Sequence, residues 1–300
     1  MELKMDWQEQ LITLFVNISK YYDDELLIHC QRFSNNTKPH FSDIEVISIY
    51  LWGIMRGYSE IKEIYNYTHD HLLEWFPKLP AYSTYVDRLN RVSAVFCPMI
   101  EKVQEDFYQD SEIDMIRLID SMPIMMAKSQ RSGNATVAPE LANKGYNSTK
   151  KTYYYGVKVH ILAFRRAGKL PIPNYISVTP ASESDINVLK NIACDIYSTP
   201  VYADKAYISK ELSDLLEHQD SHLYTPVKKE KGQKNLTLFQ KAFSTMVSEI
   251  RQPIESLFNW IHEKTGIQIA SKVRSTQGLL VHVFGKIAAA MMLLSPSFNP

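Results

Sequence analysis

The sequence predicts a mixed α/β sheet flanked by helices, preceded by an all-helical region of about 110 residues. Two observations predict this division. Apolar residues recur at helical spacing in the first part of the chain, and after residue 112 the apolar runs become short and rich in β-branched and aromatic residues. Strands and helices then alternate along the chain, a pattern that is typical of a mixed α/β sheet.

The helical region has clear start and stop signals. Ser42-Asp-Ile-Glu45 is a capping box that begins one helix, and Gly57 ends it. A second helix begins near Ser59, and a third spans residues 83–92. Three short helices, the last displaying Arg88 and Arg91, are typical of a helix-turn-helix-like module in which both arginines would contact DNA. Generic helical packing explains the same pattern, so both interpretations stay open here.

Five strands and several helices are predicted after residue 112. The strands cover residues 115–120, 153–162, 175–179, 200–204 and 222–226. Helices begin at Ser184 and Ser209, and the tail is helical from about residue 238. The apolar segment Gly278–Leu294 is shorter than a membrane span and contains two basic side chains, so we expect a buried helix.

Composition excludes several classes of protein. The chain has 300 residues, of which 45% are hydrophobic and 22% charged, which excludes a collagen-like repeat and a disordered polymer. The three cysteines, Cys30, Cys97 and Cys194, form no C-x-x-C motif, so neither a disulfide framework nor a zinc site is indicated. The first residues are charged and lack a secretory apolar core. We therefore expect a cytoplasmic protein with no membrane partner.

Charge is unevenly distributed although the formal net charge is zero. Residues 1–120 carry 11 basic and 20 acidic side chains, and residues 121–300 carry 22 and 13. The basic excess is concentrated in residues 128–169, which include Lys144, Lys150 and Lys151, and in residues 228–241. A single basic run is often only a solvated surface, but two runs favour a surface that faces a polyanion such as DNA.

Three acidic residues are candidates for a catalytic site. Asp120 and Asp204 each end a predicted strand, and the carboxyl ends of strands in open α/β sheets gather ligands and catalytic groups. Each aspartate taken alone is equally typical of a helix N-cap. Glu255 lies beside the apolar stripe of the tail helix, with Arg251 one turn earlier. Pro253 lies between them and predicts a bend or break in that helix.

The chain resembles the DDE transposases of bacterial insertion sequences, which have a ribonuclease-H-like catalytic domain, and is most similar to the insertion sequence 982 family. The resemblance covers nearly the whole chain. The helical segment at residues 82–92 and four ordered motifs carry the resemblance. The motifs are Leu-Ile-Asp120-Ser-Met-Pro, Tyr-Tyr-Gly156-Val-Lys-Val-His160, Val-Tyr-Ala-Asp204-Lys-Ala-Tyr207 and Arg251-x-x-x-Glu255-x-x-Phe258. The resemblance implies a ribonuclease-H-like five-stranded sheet at residues 111–300, and a DNA-binding or assembly role for residues 1–110.

The resemblance also implies a catalytic, metal-binding triad of Asp120, Asp204 and Glu255. Three carboxylates suit two Mg²⁺ ions, with Mn²⁺ as a substitute, which activate a water or a DNA 3′-hydroxyl for displacement at phosphorus. Lys205 and Arg251 would then face phosphate. Related families carry a Tyr three residues before the Arg and a Lys seven after the Glu; Ser248 and His262 stand there. His262 or nearby Lys264 would take over the phosphate contact.

The expected activity is Mg²⁺-dependent cleavage and joining of double-stranded DNA at terminal inverted repeats. Its DNA partners would be the element ends and the target. We expect a homodimer or larger assembly, located in the bacterial cytoplasm at the nucleoid. Two alternatives remain: a sequence-specific DNA-binding protein with an inert acidic site, and a ribonuclease-H-like nuclease without strand transfer. Nucleotide-binding glycine loops and a G-x-S-x-G elbow are absent from the sequence.

Overall fold

Two groups of residues pack separately in the computed structural model, which describes residues 6–30, 39–107, 113–148, 150–296 and 298. The first unit comprises Met1–Gln109 together with Ile261–Pro300, and the second comprises Asp110–Trp260. The last forty residues therefore pack with the helical region. The assignment of a DNA-binding role to residues 1–110 and of catalysis to residues 111–300 is a functional division, and it stays a prediction.

The regular secondary structure of the first unit is helical in its described residues apart from one bridge residue, Ile269, which agrees with the helical region predicted for residues 1–110. Its helices are α1 (Trp7–Asp24), α2 (Asp43–Met55), α3 (Ile61–His71), α4 (Tyr82–Arg91), α5 (Phe96–Glu105), α9 (Thr276–Leu280) and α10 (Lys286–Leu294), with short 3₁₀ turns at Leu26–Cys30 and Ser93–Val95. The central helix is α2, which has ten buried residues and contacts α1, α3, α4 and α10.

The predicted signals at both ends of α2 are confirmed. The Glu45 backbone N–H donates to the Ser42 hydroxyl at 3.1 Å, and the Ser42 backbone N–H donates to the Glu45 carboxylate at 2.5 Å. This reciprocal pair is a capping box and satisfies two backbone donors that the first turn leaves free. After the helix ends, Gly57 adopts a φ of 93°, a left-handed conformation that glycine reaches without strain.

The apolar segment near the C-terminus is a buried helix, as predicted. Within the described chain, Thr276–Leu294 is the one helix long and apolar enough to cross a membrane by length and composition, and 61% of its most apolar stretch is buried inside the protein. A π-helical turn at Val281–Gly285 separates α9 from α10. The Tyr50 hydroxyl donates to the Val281 carbonyl at 3.1 Å and ties this segment to α2.

The second unit contains a mixed sheet flanked by helices, which confirms the predicted ribonuclease-H-like α/β class. The strands are β1 (Ile113–Lys128), β2 (Asn143–Asn147), β3 (Thr152–Arg166), β4 (Ile172–Pro180), β5 (Pro200–Tyr202) and β6 (His222–Tyr224). All five predicted strands form, and a sixth, β2, adds a short edge beside the start of β3. The order is β2-β3-β1-β5-β6, with β4 also paired to β3.

The prediction that the first strand ends at Asp120 is wrong, because β1 continues to Lys128. The extension pairs antiparallel with β3, with Asp120 opposite Ile161. The parallel pairing with β5 is short and includes only Arg117 and Leu118. Pro123 fits in this part of β1 because no strand among the described residues pairs with the side of β1 that faces away from β3 there, and a proline has no N–H to donate.

A buried cluster beneath one face of the sheet positions the strands. Its strand members include Ile119 from β1 and Leu162 from β3, both at most 2% exposed. Its helical members come from α6 (Asp185–Ile192), α7 (Lys210–Glu217) and the turns beside them. Burying this many large apolar side chains fixes the register of β1 and β5, because a slip of one residue would turn these side chains to the opposite face.

The tail helix α8 (Leu238–Thr265) is continuous through Pro253, so the predicted break does not occur. Proline removes one backbone hydrogen bond at a cost of about 3 kcal/mol. Val247, Ile254 and Leu257 are fully buried on either side of Pro253. Their burial offsets that cost, since each such side chain contributes about 1.5–3 kcal/mol.

Candidate active site

Asp120 and Asp204 lie at the same edge of the parallel strand pair. Leu118 of β1 pairs with Tyr202 of β5, and each aspartate follows two residues after its member of that pair. Because parallel strands run in the same direction, the two carboxylates leave the sheet side by side. The short length of β5 creates this edge, although β1 itself continues.

Arg251 of α8 joins two of the three predicted acids. Its Nη1 donates to Asp120 Oδ2 at 2.6 Å, and its Nη2 donates to Glu255 Oε1. The side chains of Asp120 and Arg251 are 21% and 13% exposed, whereas that of Glu255 is 50% exposed. One guanidinium therefore bridges a carboxylate from the sheet and a carboxylate from the helix, which requires the continuous helix through Pro253.

The Asp120 carboxyl has a raised pKa. Burial raises the pKa of Asp120 to about 6, and the negative charges of Asp204 and Glu255 act in the same direction. The Ser121 backbone N–H, which donates at 2.8 Å, and Arg251 oppose this shift but do not cancel it. The influence of both acids on one carboxyl indicates that Asp120, Asp204 and Glu255 belong to one electrostatic site.

Asp204 is exposed and begins the turn that follows β5. Its carboxylate accepts a hydrogen bond from the Lys205 backbone N–H at 2.6 Å, which is the capping contact that the sequence left open. Lys205 is exposed, as a phosphate-facing residue requires. Capping and metal binding are compatible here, since a carboxylate has two oxygens and about four acceptor positions.

Two buried groups of the second unit, of which Tyr207 lies near the acids, received no role from the sequence. Tyr207 is fully buried, and its hydroxyl has no hydrogen-bond partner within the described chain. Its pKa is raised by burial and also by Asp185, Asp120 and Asp204. His160 Nε2 lies 2.8 Å from the Thr179 hydroxyl, and burial lowers the pKa of His160 to about 4, so the ring is neutral at pH 7. Both residues stand in the quoted motifs, which is the signal that would have identified them.

The predicted DNA contacts are placed unequally. Lys144, Lys150, Lys151 and Arg91 are exposed. Arg88 is 6% exposed, donates to Asp43 at 2.7 Å and lies over the Phe41 ring at 5.7 Å. Arg88 therefore stabilises the packing of α4 and does not present its guanidinium to a phosphate, contrary to the sequence-based expectation.

His262 lies in the part of α8 that belongs to the first unit and is half-buried. Its carbonyl accepts a hydrogen bond from the Gly266 N–H at 2.7 Å, which closes the helix end. A phosphate contact by its ring stays a prediction.

The donor chemistry of the site fits a divalent cation. Three carboxylates provide hard oxygen ligands of the kind that Mg²⁺ and Mn²⁺ prefer. Asp120 supports the fit, because its raised pKa indicates a buried carboxylate that Arg251 does not fully compensate. Among the described residues, no three His, Cys, Asp or Glu side chains are already arranged to hold an ion. The arginine that bridges Asp120 and Glu255 would have to release their oxygens for metal to bind.

A ribonuclease-H-like sheet with acids at one strand edge defines a class of enzymes that act on nucleic-acid phosphates. Residues 110–275 match a family model described as a transposase DDE domain. The match covers more than half of the chain, so the chain belongs to the transposase DDE domain family. Membership of this family identifies a transposase and implies DNA binding. Transposase DDE domains typically use divalent metal ions.

No curated protein and no solved structure matches the chain. The family match shows a transposase DDE domain and does not establish the narrower insertion sequence 982 assignment.

Proposed function

We propose that this protein is a transposase of the insertion sequence 982 family that cleaves and joins double-stranded DNA at the terminal inverted repeats of its element. Asp120, Asp204 and Glu255 are its catalytic, metal-binding residues. The narrower family assignment rests on the four ordered motifs and the helical segment at residues 82–92. The broader assignment rests on the transposase domain match.

One observation carries the catalytic proposal: a single guanidinium, that of Arg251, binds carboxylates 135 positions apart in the chain, on Asp120 and Glu255. Asp204 contributes from the neighbouring strand edge and raises the pKa of Asp120. Of the three acids only Asp120 is largely buried, and a buried carboxylate is costly unless a cation compensates it. Function is the simplest reason to retain Asp120 there, since an apolar residue would pack at lower cost.

Asp120, Asp204 and Glu255 would hold two Mg²⁺ ions, or Mn²⁺ in their place. Bound ions of this kind supply an activated water or 3′-hydroxyl and stabilise charge at the reacting phosphorus. Arg251, once released from the carboxylates, has the planar donor fork that suits a phosphate. Lys205, exposed beside Asp204, would neutralise a neighbouring phosphate, and His262 would contact phosphate farther along α8.

The DNA substrate would contact both basic runs. Lys144, Lys150 and Lys151 and the lysines of residues 228–241 neutralise phosphates, and Arg91 of the helical region adds a contact. Holding two element ends together requires a homodimer or a larger assembly on DNA. We expect the protein in the bacterial cytoplasm, associated with the nucleoid.

The proposal is tested with three isosteric variants: Asp120→Asn, Asp204→Asn and Glu255→Gln. Each is expected to lower Mg²⁺-dependent cleavage of a terminal-repeat duplex by at least about a thousandfold, the scale of losing a metal-dependent catalytic group. Glu249→Gln on the same helix is the matched control and should cleave normally. Unchanged circular dichroism establishes that each variant folds.

The two alternatives give different results in the same assay. A DNA-binding protein with an inert site would bind equally well in EDTA and convert nothing in Mg²⁺. A nuclease without strand transfer would cut the duplex but fail to join a pre-cleaved end to plasmid DNA. Full activity in the Glu255→Gln variant would remove that residue from the triad.

A further inference from the structure

The hairpin of β2 and β3 carries an exposed pair of tyrosines. Tyr146 and Tyr153 are directly opposite each other in the ladder, and their rings lie 5.0 Å apart at 58°. They are 51% and 53% exposed. The Tyr-rich segment that begins β3 thus divides, since Tyr154 and Tyr155 are buried in the unit and only Tyr153 faces solvent. The two exposed rings contact each other and so form one aromatic patch, and patches of this kind are candidate binding surfaces.

The hairpin directs positive charge at the same surface. Lys144 lies on the face of β2 that carries Tyr146, and its Nζ is 4.8 Å from the centre of the Tyr153 ring. Lys150 and Lys151 follow in the connecting turn and are exposed. None of these three ammonium groups has an ion-pair partner among the residues that the structure describes.

The backbone fixes the orientation of this surface. A side chain on Gly145 would meet the Ala181 backbone carbonyl at 2.4 Å, so β2 packs against that segment through a bare glycine. Successive strand residues alternate in direction, and Lys144 and Tyr146 therefore point away from that contact. The strand ladder holds Lys144, Tyr146 and Tyr153 in a fixed register, because the two strands pair over five residue pairs.

We propose that this surface, Tyr146 and Tyr153 with Lys144, Lys150 and Lys151, binds unpaired DNA by stacking bases on the tyrosine rings and neutralising the adjacent phosphates. Exposed aromatic rings surrounded by cations are the combination that binds single strands, because every base has a face to stack and every nucleotide a charge. The phosphate role of the lysines rests on the proposed function; the selectivity for unpaired bases is new. It distinguishes this surface from the other lysine run, residues 228–241, which we assign to duplex phosphates.

The position of the surface limits where on the DNA it acts. Tyr153 precedes Ile161, the partner of Asp120, by eight residues of β3. At about 3.3 Å per residue the tyrosines lie about 26 Å from Asp120 along the strand. If the DNA between the reacting phosphate and this surface is duplex, with a rise of about 3.4 Å per nucleotide, the unpaired nucleotides would begin about eight positions from that phosphate.

The test measures binding of fluorescein-labelled single-stranded and duplex oligonucleotides of 20 nucleotides to the full chain in EDTA, by fluorescence anisotropy. We expect the double variant Tyr146→Ala/Tyr153→Ala to bind the single strand at least about tenfold more weakly, while duplex affinity changes less than about twofold. Tyr146→Phe/Tyr153→Phe keeps both rings and should bind as the unaltered protein does. Tyr197→Ala, which removes an equally exposed tyrosine at 60% exposure in the same unit, is the matched control.

Several results would overturn the inference. These are equal losses for single strand and duplex, unchanged single-strand affinity in the double alanine variant, and loss of affinity in the Phe variant. A change of sedimentation coefficient in the alanine variant with unchanged single-strand affinity would assign the tyrosines to self-association instead.

The result is also independent of the catalytic proposal. Binding in EDTA needs no reaction, so selective loss in the alanine variant supports the surface even if the triad variants cleave normally. If the triad variants are inactive and the tyrosine variants bind normally, the catalytic proposal is supported and the proposal of a stacking surface is rejected.

Discussion

Charge at Asp120 is balanced by two opposing effects. Burial favours the neutral carboxylic acid, and Arg251 favours the carboxylate. The resulting pKa of about 6 indicates that burial dominates, although the arginine contact is short. Because the pKa lies above the ordinary value of 3.8, this carboxyl stabilises the folded protein at low pH, and that contribution is lost as the pH rises toward and through 6.

This balance predicts the pH dependence of metal binding. Below pH 6 a proton occupies Asp120, so affinity for Mn²⁺ should fall by roughly tenfold per pH unit, since proton and metal compete for one group. Free Mn²⁺ measured by electron paramagnetic resonance between pH 4.5 and 8 checks this. Asp120→Asn should bind weakly and show no step near pH 6, and an unaltered step in that variant would contradict the assignment.

In the proposed site, Arg251 would compete with the metal for the carboxylates of Asp120 and Glu255 in the DNA-free protein. Arg251→Ala should therefore raise Mn²⁺ affinity by about tenfold, which corresponds to about 1.4 kcal/mol, while lowering strand transfer because a phosphate contact is lost. Arg165→Ala is the matched control, since it removes an arginine that pairs with Asp114 at 2.7 Å on the same sheet. Weaker Mn²⁺ binding in Arg251→Ala would show that the arginine supports the ligands.

At the scale of the elements, local sequence signals were sufficient to predict that a helix or strand exists and which of the two it is. They were not sufficient to predict how far the strands pair. The capping box at Ser42 and the glycine at position 57 are readable from sequence because their effects are local. The extension of β1 past Asp120 was not readable, because it depends on how far β3 and β5 pair with it. Similarly, Pro253 is a local breaker that buried side chains of α8 override, and the sequence does not report that burial.

Gly156 is the position where the sheet is least tolerant of change. A Cβ there would meet the Ile124 carbonyl oxygen at 2.0 Å, next to the irregular pairing between Met125 and Ala127. Gly156→Ala should lower the free energy of unfolding by about 1–3 kcal/mol or more, the cost of overpacking a site that cannot yield. Gly133→Ala is the control, since its Cβ meets nothing within 4 Å, and equal urea midpoints for the two variants would contradict this.

For the whole molecule, the sequence predicted which acids lie near one another better than it predicted which side chains face solvent, and the catalytic role of those acids stays a prediction. Asp120, Asp204 and Glu255 are identified by motifs that a ribonuclease-H-like fold brings together. Arg88 was misassigned, since its partner Asp43 lies 45 positions away and only packing decides whether an arginine is exposed. The Tyr146–Tyr153 pair was missed for the same reason: its members become neighbours only through strand register.

The uneven distribution of charge predicts a salt effect on DNA binding. The lysines at 228, 229 and 231 are exposed in the basic half of the chain. Replacing all three by alanine should reduce the slope of log affinity against log salt concentration by about 2.7, or about 0.9 for each phosphate contact. Alanine at Lys20, Lys62 and Lys78, exposed lysines of the acidic half, is the matched control. Equal slopes in the two triple variants would show that the charge asymmetry does not direct DNA.

The brevity of β5, three residues beside the sixteen of β1, has a consequence for how such a centre is altered. The sheet edge at Asp120 exists because the neighbouring strand β5 ends early, and no long loop is needed to form it. Substitutions that extended the pairing of the chain after Tyr202 along β1 would close this edge and draw Asp204 into the strand without replacing any of the three acids. The protein could thus be inactivated by adding hydrogen bonds between β1 and an extended β5, without removing a single reactive group.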